Sequence, residues 1–354
     1  KVASIIFLIT RVLADGIRFL ATAVIVQVIT GWTLISSVIL IGVITLVYVV
    51  IGGLKTIIWI DSVQFFLYLL GGCITIFFIM YNAEDSFGNI WSGLIYSDKI
   101  QIFSFSGSMF DDPYLFINAL IGGMFLSLSS HGVDYMMVQR VLSVKDLRSG
   151  QKAMIGSGIF VLIQFTIFLF AGSLIFYLFE GAVINKDREF STFIVEYLPV
   201  GLKGFLLAGI LSAAMSTLSS SINALASSTL IDLFKGEPSL LSSRLMSLFW
   251  AIILIGIALI FDESDSAIVI IGLQIASFTY GGLLGLFILS KFNKEFNSIS
   301  LIIGLVCSLL IVFYLKYLGI AWTWFILISV IVNITITIIV EKLVTRSGEN
   351  SLHI

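Results

Sequence analysis

The sequence predicts an all-α polytopic membrane protein, and three observations carry that prediction. Hydrophobic residues make up 59% of the chain and charged residues only 11%, with a mean hydropathy of +1.12, whereas soluble domains carry about 25% charged residues. Long apolar runs follow one another with little between them, each near the roughly 20 residues that a helix needs to cross a bilayer core. Only three prolines are present to break them. A net charge of −2, with no basic cluster beyond one loop, excludes a nucleic-acid role. Cys73 and Cys307 lie in separate apolar runs, where a free thiol behaves as a small hydrophobe.

In chain order, ten spans are expected: 3–33, 34–54, 57–80, 114–140, 151–180, 202–235, 241–261, 265–290, 298–316 and 320–343. They form one transmembrane domain, 1–343, followed by a cytoplasmic tail, 344–354. The first begins at once: residue 1 is Lys, the sections of a signal peptide are absent, and the N-terminus is expected to be truncated. Within this span Arg11, Asp15 and Arg18 stand at spacings of four and three, so they share a helical face and can neutralise one another. An arginine there also has the planar fork that suits a substrate carboxylate. Arg18 is therefore a candidate ligand for an organic anion, although intramembrane charges usually find protein partners first.

Gly52-Gly53 are read as the tight inner turn between the second and third spans. Asp61, six residues after Lys55, falls just inside the third. Its carboxylate can attract a departing cation, or serve as a salt-bridge or helix-start acid near the positive end of the dipole. The connection 81–113 mixes Gly, Ser, Asp and aromatics, which suits an ordered external cap as well as a flexible connector. In the fourth span the polar run from Ser127 to Asp134 follows Gly122-Gly123 and interrupts an apolar helix. Opened backbone at midplane depth offers groups to a solute, so a binding site is expected along this run; His131 is equally readable as a satisfied interior histidine. Gln139-Arg140 with Lys145, Arg148 and Lys152 form an inner anchor and loop.

The sixth span, 202–235, is the most informative. Ala208, Gly209, Ala213, Ala214, Ala224 and Ala226 allow close helix contact, while Ser212, Ser216, Thr217, Ser219, Ser220, Ser221 and Asn223 supply oxygens. A hard monovalent cation wants a small cage of oxygens, and the Ala213 carbonyl with the Ser216 and Thr217 hydroxyls has the spacing to give half of one. The alternative is that these hydroxyls bond back to their own turn and only tighten packing. In the eighth span Gln274, Ser277, Thr279 and Tyr280 precede Gly281-Gly282 and can line a cavity or simply pack. The 30 phenylalanines are spread over every span and read as lipid contact and core.

Alternating the ten spans with residue 1 inside places Lys1, Lys55, Arg140, Lys145, Arg148, Lys152, Lys235, Arg244, Lys291, Lys294, Lys342 and Arg346 on the inner side. The outer side holds only Lys99, Lys186, Arg188, Lys203 and Lys316. Twelve against five fits the positive-inside rule. The outer connections collect acids instead, among them Glu84, Asp85, Asp187, Asp262, Glu263 and Asp265.

Three ordered stretches carry a resemblance over essentially the whole chain. Gly52 to Gln64 resembles the GGLKAVIWTDxxQ stretch of the sodium:solute symporters, relatives of the sodium-coupled glucose, pantothenate, proline and iodide carriers. Gly204 to Phe234 resembles their second signature, and Asp134 to Leu142 resembles their DQxxVQRxL segment with Tyr135 in place of Gln. The resemblance implies a LeuT-like core of two inverted five-helix repeats. It places Ala213, Ser216 and Thr217 on sodium-binding positions, Asp61 on the sodium exit path, and Ser127, Ser130 and His131 among substrate and inner-gate positions. Sugar carriers have a Tyr-Trp pair where this chain has Ser130-His131, which puts a sugar substrate in question. The family has 13 or 14 spans, so about three are expected to be missing, with half an ion site left in the 354-residue piece and no transport by it alone.

The expected function is sodium-coupled symport of a small organic solute across the plasma membrane by alternating access, with Na+ as the coupling ion. The partners are the solute, sodium and the bilayer. A membrane solute sensor built on the same fold, with a signalling domain in the missing N-terminal part, is the alternative, and a channel is a third reading. No enzyme is expected, because His131 has no paired nucleophile or metal-ligand spacing around it.

Overall fold

A bilayer core offers backbone N–H and C=O groups no partner, so an apolar chain satisfies them within its own helices. The computed structural model describes residues 1–181, 188–234, 239–260 and 268–351. Among these there is no strand, only an isolated bridge between Ser104 and Leu115. The helices are α1 (Val2–Thr30), α2 (Leu34–Asn82), α3 (Phe87–Tyr96), α4 (Phe116–Gly132), α5 (Tyr135–Leu142), α6 (Leu147–Leu178), α7 (Glu189–Tyr197), α8 (Val200–Ser228), α9 (Leu240–Ile260), α10 (Ile268–Leu289), α11 (Ser298–Tyr317) and α12 (Phe325–Ser351). Side-chain caps fix where several begin: Thr33 accepts from the Ser36 amide, Ser86 from Asn89, Asp146 from Ser149 and Asn297 from Ile299. The hydrogen bonds from the backbone and hydroxyl of Ser149 hold the Asp146 carboxyl below its ordinary value.

Each of the ten expected segments falls on helix, but they do not make ten separate spans. Among the described residues eight helices are long and apolar enough to cross a membrane, and the pair α4 and α5, bent by 60°, makes a ninth if counted as one span. The remaining segment, Leu34–Val47, is a shorter apolar stretch. The protein is a multi-pass membrane protein.

The turn expected at Gly52-Gly53 is not formed, because α2 runs unbroken for 49 residues. At about 1.5 Å per residue its length is about 74 Å, more than twice a hydrocarbon core of about 30 Å. Glycines inside a helix cost only about 1 kcal/mol each, and no proline stands nearby to enforce a break. The tail expected from 344 is helical through Ser351. The connection 81–113 is ordered in part by α3, and α7 lies in a connection for which no helix was expected. Lys186, Asp187, Lys235, Asp262, Glu263 and Asp265, counted above, lie outside the described residues, as do the side chains of Lys55 and Arg346.

Two compact units account for these helices. The first comprises Lys1–Thr10, Phe103–Val144 and Leu273–Ile354. Its core gathers Ala276, Tyr280 and Leu284 of α10 with Ile326 and Val330 of α12, and Phe125, Leu126 and Val133 pack against them. Glycines let these helices touch: a Cβ on Gly281 would lie 2.5 Å from the Ser329 Cβ, and one on Gly304 would lie 2.0 Å from the Thr337 Oγ1. The second unit comprises Arg11–Ile102 and Lys145–Gly272. There Ile90 and Leu94 of α3, Leu174 of α6 and Phe193 and Ile194 of α7 bury themselves with Ile79 of α2 and Leu206 of α8, so two short helices outside the predicted spans are held by apolar burial.

Candidate functional site

In the second unit, the small residues of α8 bring its serines to two acids. Gly209 lets α8 approach α2 so closely that a Cβ there would lie 3.5 Å from the Tyr68 Cα. Two turns earlier on α2, Asp61 accepts from the Ser220 hydroxyl at 3.3 Å. One residue further along α8, Ser221 donates to the Asp15 Oδ2 of α1. Asp15 is also paired with Arg11 and, at 3.2 Å, with Arg18, and the Arg11 Nη2 lies 3.4 Å from the Ser221 hydroxyl. The mutual neutralisation that the spacings predicted is therefore formed, with a hydroxyl from α8 added. Burial of Arg11 and Asp15 demands such a network, since an isolated buried charge is far too costly. Arg18 differs: 43% of its side chain is exposed, and only its Nη1 is hydrogen-bonded among the described residues.

One to two turns before Ser220 and Ser221 stand the three cation candidates. The Thr217 hydroxyl donates to the Ala213 carbonyl at 3.3 Å, and Ala213, Ser216 and Thr217 are all half-buried. The Ser219 hydroxyl donates to the Ser216 carbonyl at 3.0 Å. Hydroxyls bonding back to their own turn match the packing reading, but the distance also suits an ion. Sodium has nearly the size of calcium, whose oxygen ligands sit at about 2.3–2.6 Å, so two ligands at right angles stand about 3.3–3.7 Å apart. The Thr217 hydroxyl needs only to turn its proton aside for both oxygens to face a cation. Ala213, Ser216 and Thr217 give three oxygens, about half of the six or more that a cation of that size takes.

In the first unit, the interruption expected in the fourth span falls at Val133-Asp134, the last two residues of the polar run. Ser127, Ser130 and His131 precede it on α4 at helical spacings that share one face. Ser127 is exposed while Ser130 and His131 are half-buried, and the His131 Nδ1 lies 3.0 Å from the Ser127 carbonyl. That contact satisfies one ring nitrogen locally, as an interior histidine requires. Gln274, on α10, is half-buried in the same unit. Ser277 bonds back to the Leu273 carbonyl at 2.8 Å, as a packing hydroxyl does.

Three partnerships were not legible in the chain. The serine run on α8 was visible, but Asp15 and Ser221 are 206 residues apart and Asp61 and Ser220 are 159 apart. Asp134 and Tyr280, 146 residues apart, are joined by a hydrogen bond that neither local pattern implies.

Comparison with known proteins gives consistent findings. The family model described as sodium:solute symporter family matches residues 1–308. The chain is 27% identical over 337 residues to a sodium-dependent multivitamin transporter of Oryctolagus cuniculus, covering 88% of this chain and 51% of that protein. It is 27% identical over 255 residues to sodium-coupled monocarboxylate transporter 2 of Homo sapiens, covering 69% and 40%. The chain thus spans about half the length of the curated relatives it matches. A solved structure, the substrate-bound outward-open state of a Na+-coupled sialic acid symporter, superposes with a TM-score of 0.83 at 21% identity, over 96% of this chain and 73% of that one. The likeness is one of fold, and that fold is LeuT-like.

Proposed function

The chain belongs to the sodium:solute symporter family, and on that premise we propose that the protein moves a small organic solute across the plasma membrane together with sodium, by alternating access. The observation that carries the reading is the arrangement on α8: the Ala213 carbonyl and Thr217 hydroxyl stand 3.3 Å apart beside Ser216, and an acid, Asp61, meets Ser220 one turn further on. In this reading Ala213, Ser216 and Thr217 hold the ion, and Asp61 draws it onward once it is released. A sodium ion entering a negative interior gains about 2.3 kcal/mol per 100 mV, and its binding shifts the carrier only as far as its affinity differs between the two states.

Ser127, Ser130 and His131 on α4 and Gln274 on α10 are the groups proposed to meet the solute or form its gate. The relatives named above carry monocarboxylates, vitamins or sialic acid, and Arg18 suits an acid among these. Its partly exposed guanidinium has donors beyond the one given to Asp15. No observation favours the sensor alternative.

The test is uptake by the intact protein in liposomes, with sodium or choline outside and a panel of labelled monocarboxylates, vitamins and neutral sugars. Sodium-driven accumulation of one class is expected. Ser216→Ala should raise the sodium concentration for half-maximal uptake about tenfold, equivalent to about 1.4 kcal/mol. Uptake indifferent to sodium, or unchanged sodium dependence in Ser216→Ala, would refute the assignment. Arg18→Ala should depress uptake of acids more than of neutral solutes.

A further inference from the structure

The bend between α4 and α5 has a buried acid at its centre. Asp134 is 1% exposed, so both carboxylate oxygens must find donors. One accepts from the Met136 amide at 3.0 Å, which caps α5. The other accepts from the Tyr280 hydroxyl of α10. The backbone at the bend is engaged as well: the Asp134 amide donates to the Ser129 carbonyl at 3.3 Å, and its carbonyl accepts from Met137 and Val138 at 3.1 and 2.9 Å.

Tyr280 is itself held in place. Its ring lies in the core formed by Ala276, Leu284, Ile326 and Val330. The next residue, Gly281, rests directly against Ser329 of α12, leaving no room for even a methyl group. This direct contact of α10 with α12, one residue from Tyr280, positions the phenol. Capping α5 requires none of this, since Ser or Asn caps a helix as well as Asp does. The second oxygen and its tyrosine are a separate device.

We infer that Tyr280 is a positioning residue of the transport cycle: through Asp134 it latches the half-helix α5 to α10, and α5 swings about Val133-Asp134 only when that bond is given up. The inference rests on the symporter reading, because only a carrier that alternates needs α5 to move. A bent helix with two discrete arrangements is a two-state element, and the phenol–carboxylate bond sets its balance.

The experiment places a reporter cysteine at Leu142, the last residue of α5 and 78% exposed, in a Cys73→Ala, Cys307→Ala background of the intact protein in liposomes. Its alkylation by a maleimide is timed in sodium and in choline buffer, and the ratio of the two rates is the readout. Tyr280→Phe keeps the ring and removes only the hydroxyl, and it should change that ratio about fivefold, the factor that corresponds to one hydrogen bond of about 1 kcal/mol. Asp134→Asn, which retains an acceptor for the Met136 amide, should shift it in the same direction. A merely structural role would lower the yield of folded protein and leave the ratio alone. An unmoved ratio in both variants, or equal rates in sodium and choline for the parent, overturns the latch. Because the ratio is read without any uptake, failure of sodium-driven uptake sinks the symporter reading separately, and intact uptake with an unmoved ratio sinks the latch alone.

Discussion

Replacing Asp15 with Asn preserves shape and removes a single charge from an acid held by two arginines and a serine hydroxyl. In the parent, Asp15 faces two guanidiniums and the Ser221 hydroxyl, so the cluster carries two positive charges against one negative. The substitution leaves two positive charges, one of them on Arg11, which is only 5% exposed. Breaking a buried ion pair from one side costs about 3–5 kcal/mol, because the partner stays desolvated. Ser221→Ala removes a hydrogen bond to a charged acceptor and should cost about 1.5–3 kcal/mol. Arg18→Gln should cost no more than about 1 kcal/mol, since 43% of that side chain is in contact with solvent or lipid. The three variants therefore have a predicted order, Asp15→Asn, then Ser221→Ala, then Arg18→Gln. Detergent-driven unfolding in mixed micelles, followed by tryptophan fluorescence, measures it. If Arg18→Gln proved as damaging as Asp15→Asn, or if Asp15→Asn cost under about 1 kcal/mol, the burial argument would be wrong.

Other outcomes follow from the same geometry. Gly304→Ala puts a methyl group 2.0 Å from the Thr337 Oγ1 and 2.8 Å from the Asn333 carbonyl, an overpacking worth about 1–3 kcal/mol. Gly123→Ala on α4, with nothing within 4 Å of the new carbon, should cost nothing in the same unfolding measurement. Thr217→Val, which keeps the shape and removes the hydroxyl, should raise the sodium concentration for half-maximal uptake as Ser216→Ala does; full sodium affinity in Thr217→Val would leave the hydroxyl as packing only. For Asp146, whose folded value is lowered by Ser149, the contribution to the first turn of α6 is fully present above the unfolded-state value of about 3.9. It is lost as pH falls through the lower folded value. Relative to the intrinsic exchange rate at each pH, protection of the amides at 147–150 should therefore fall only below about pH 4, and Asp146→Asn should abolish that dependence.

By itself the sequence determined the class and most of the helices. A chain with 11% charge and repeated apolar runs has one way to satisfy its backbone in lipid, and local composition reports it. It also placed the broken helix near Asp134, because a polar run in an apolar span is a local signal. Tertiary structure decided the rest. Gly52-Gly53 read as a turn, yet glycines only permit one, and α2 continues through them. The spacing of Arg11, Asp15 and Arg18 pointed to their mutual pairing, since helical neighbours three and four apart lie within reach of one another. That Ser221, Ser220 and Tyr280 are partners of Asp15, Asp61 and Asp134 came only from packing. Contacts across more than a hundred residues depend on which helix faces meet, and small residues such as Gly209 and Gly281 set those faces without announcing their partners.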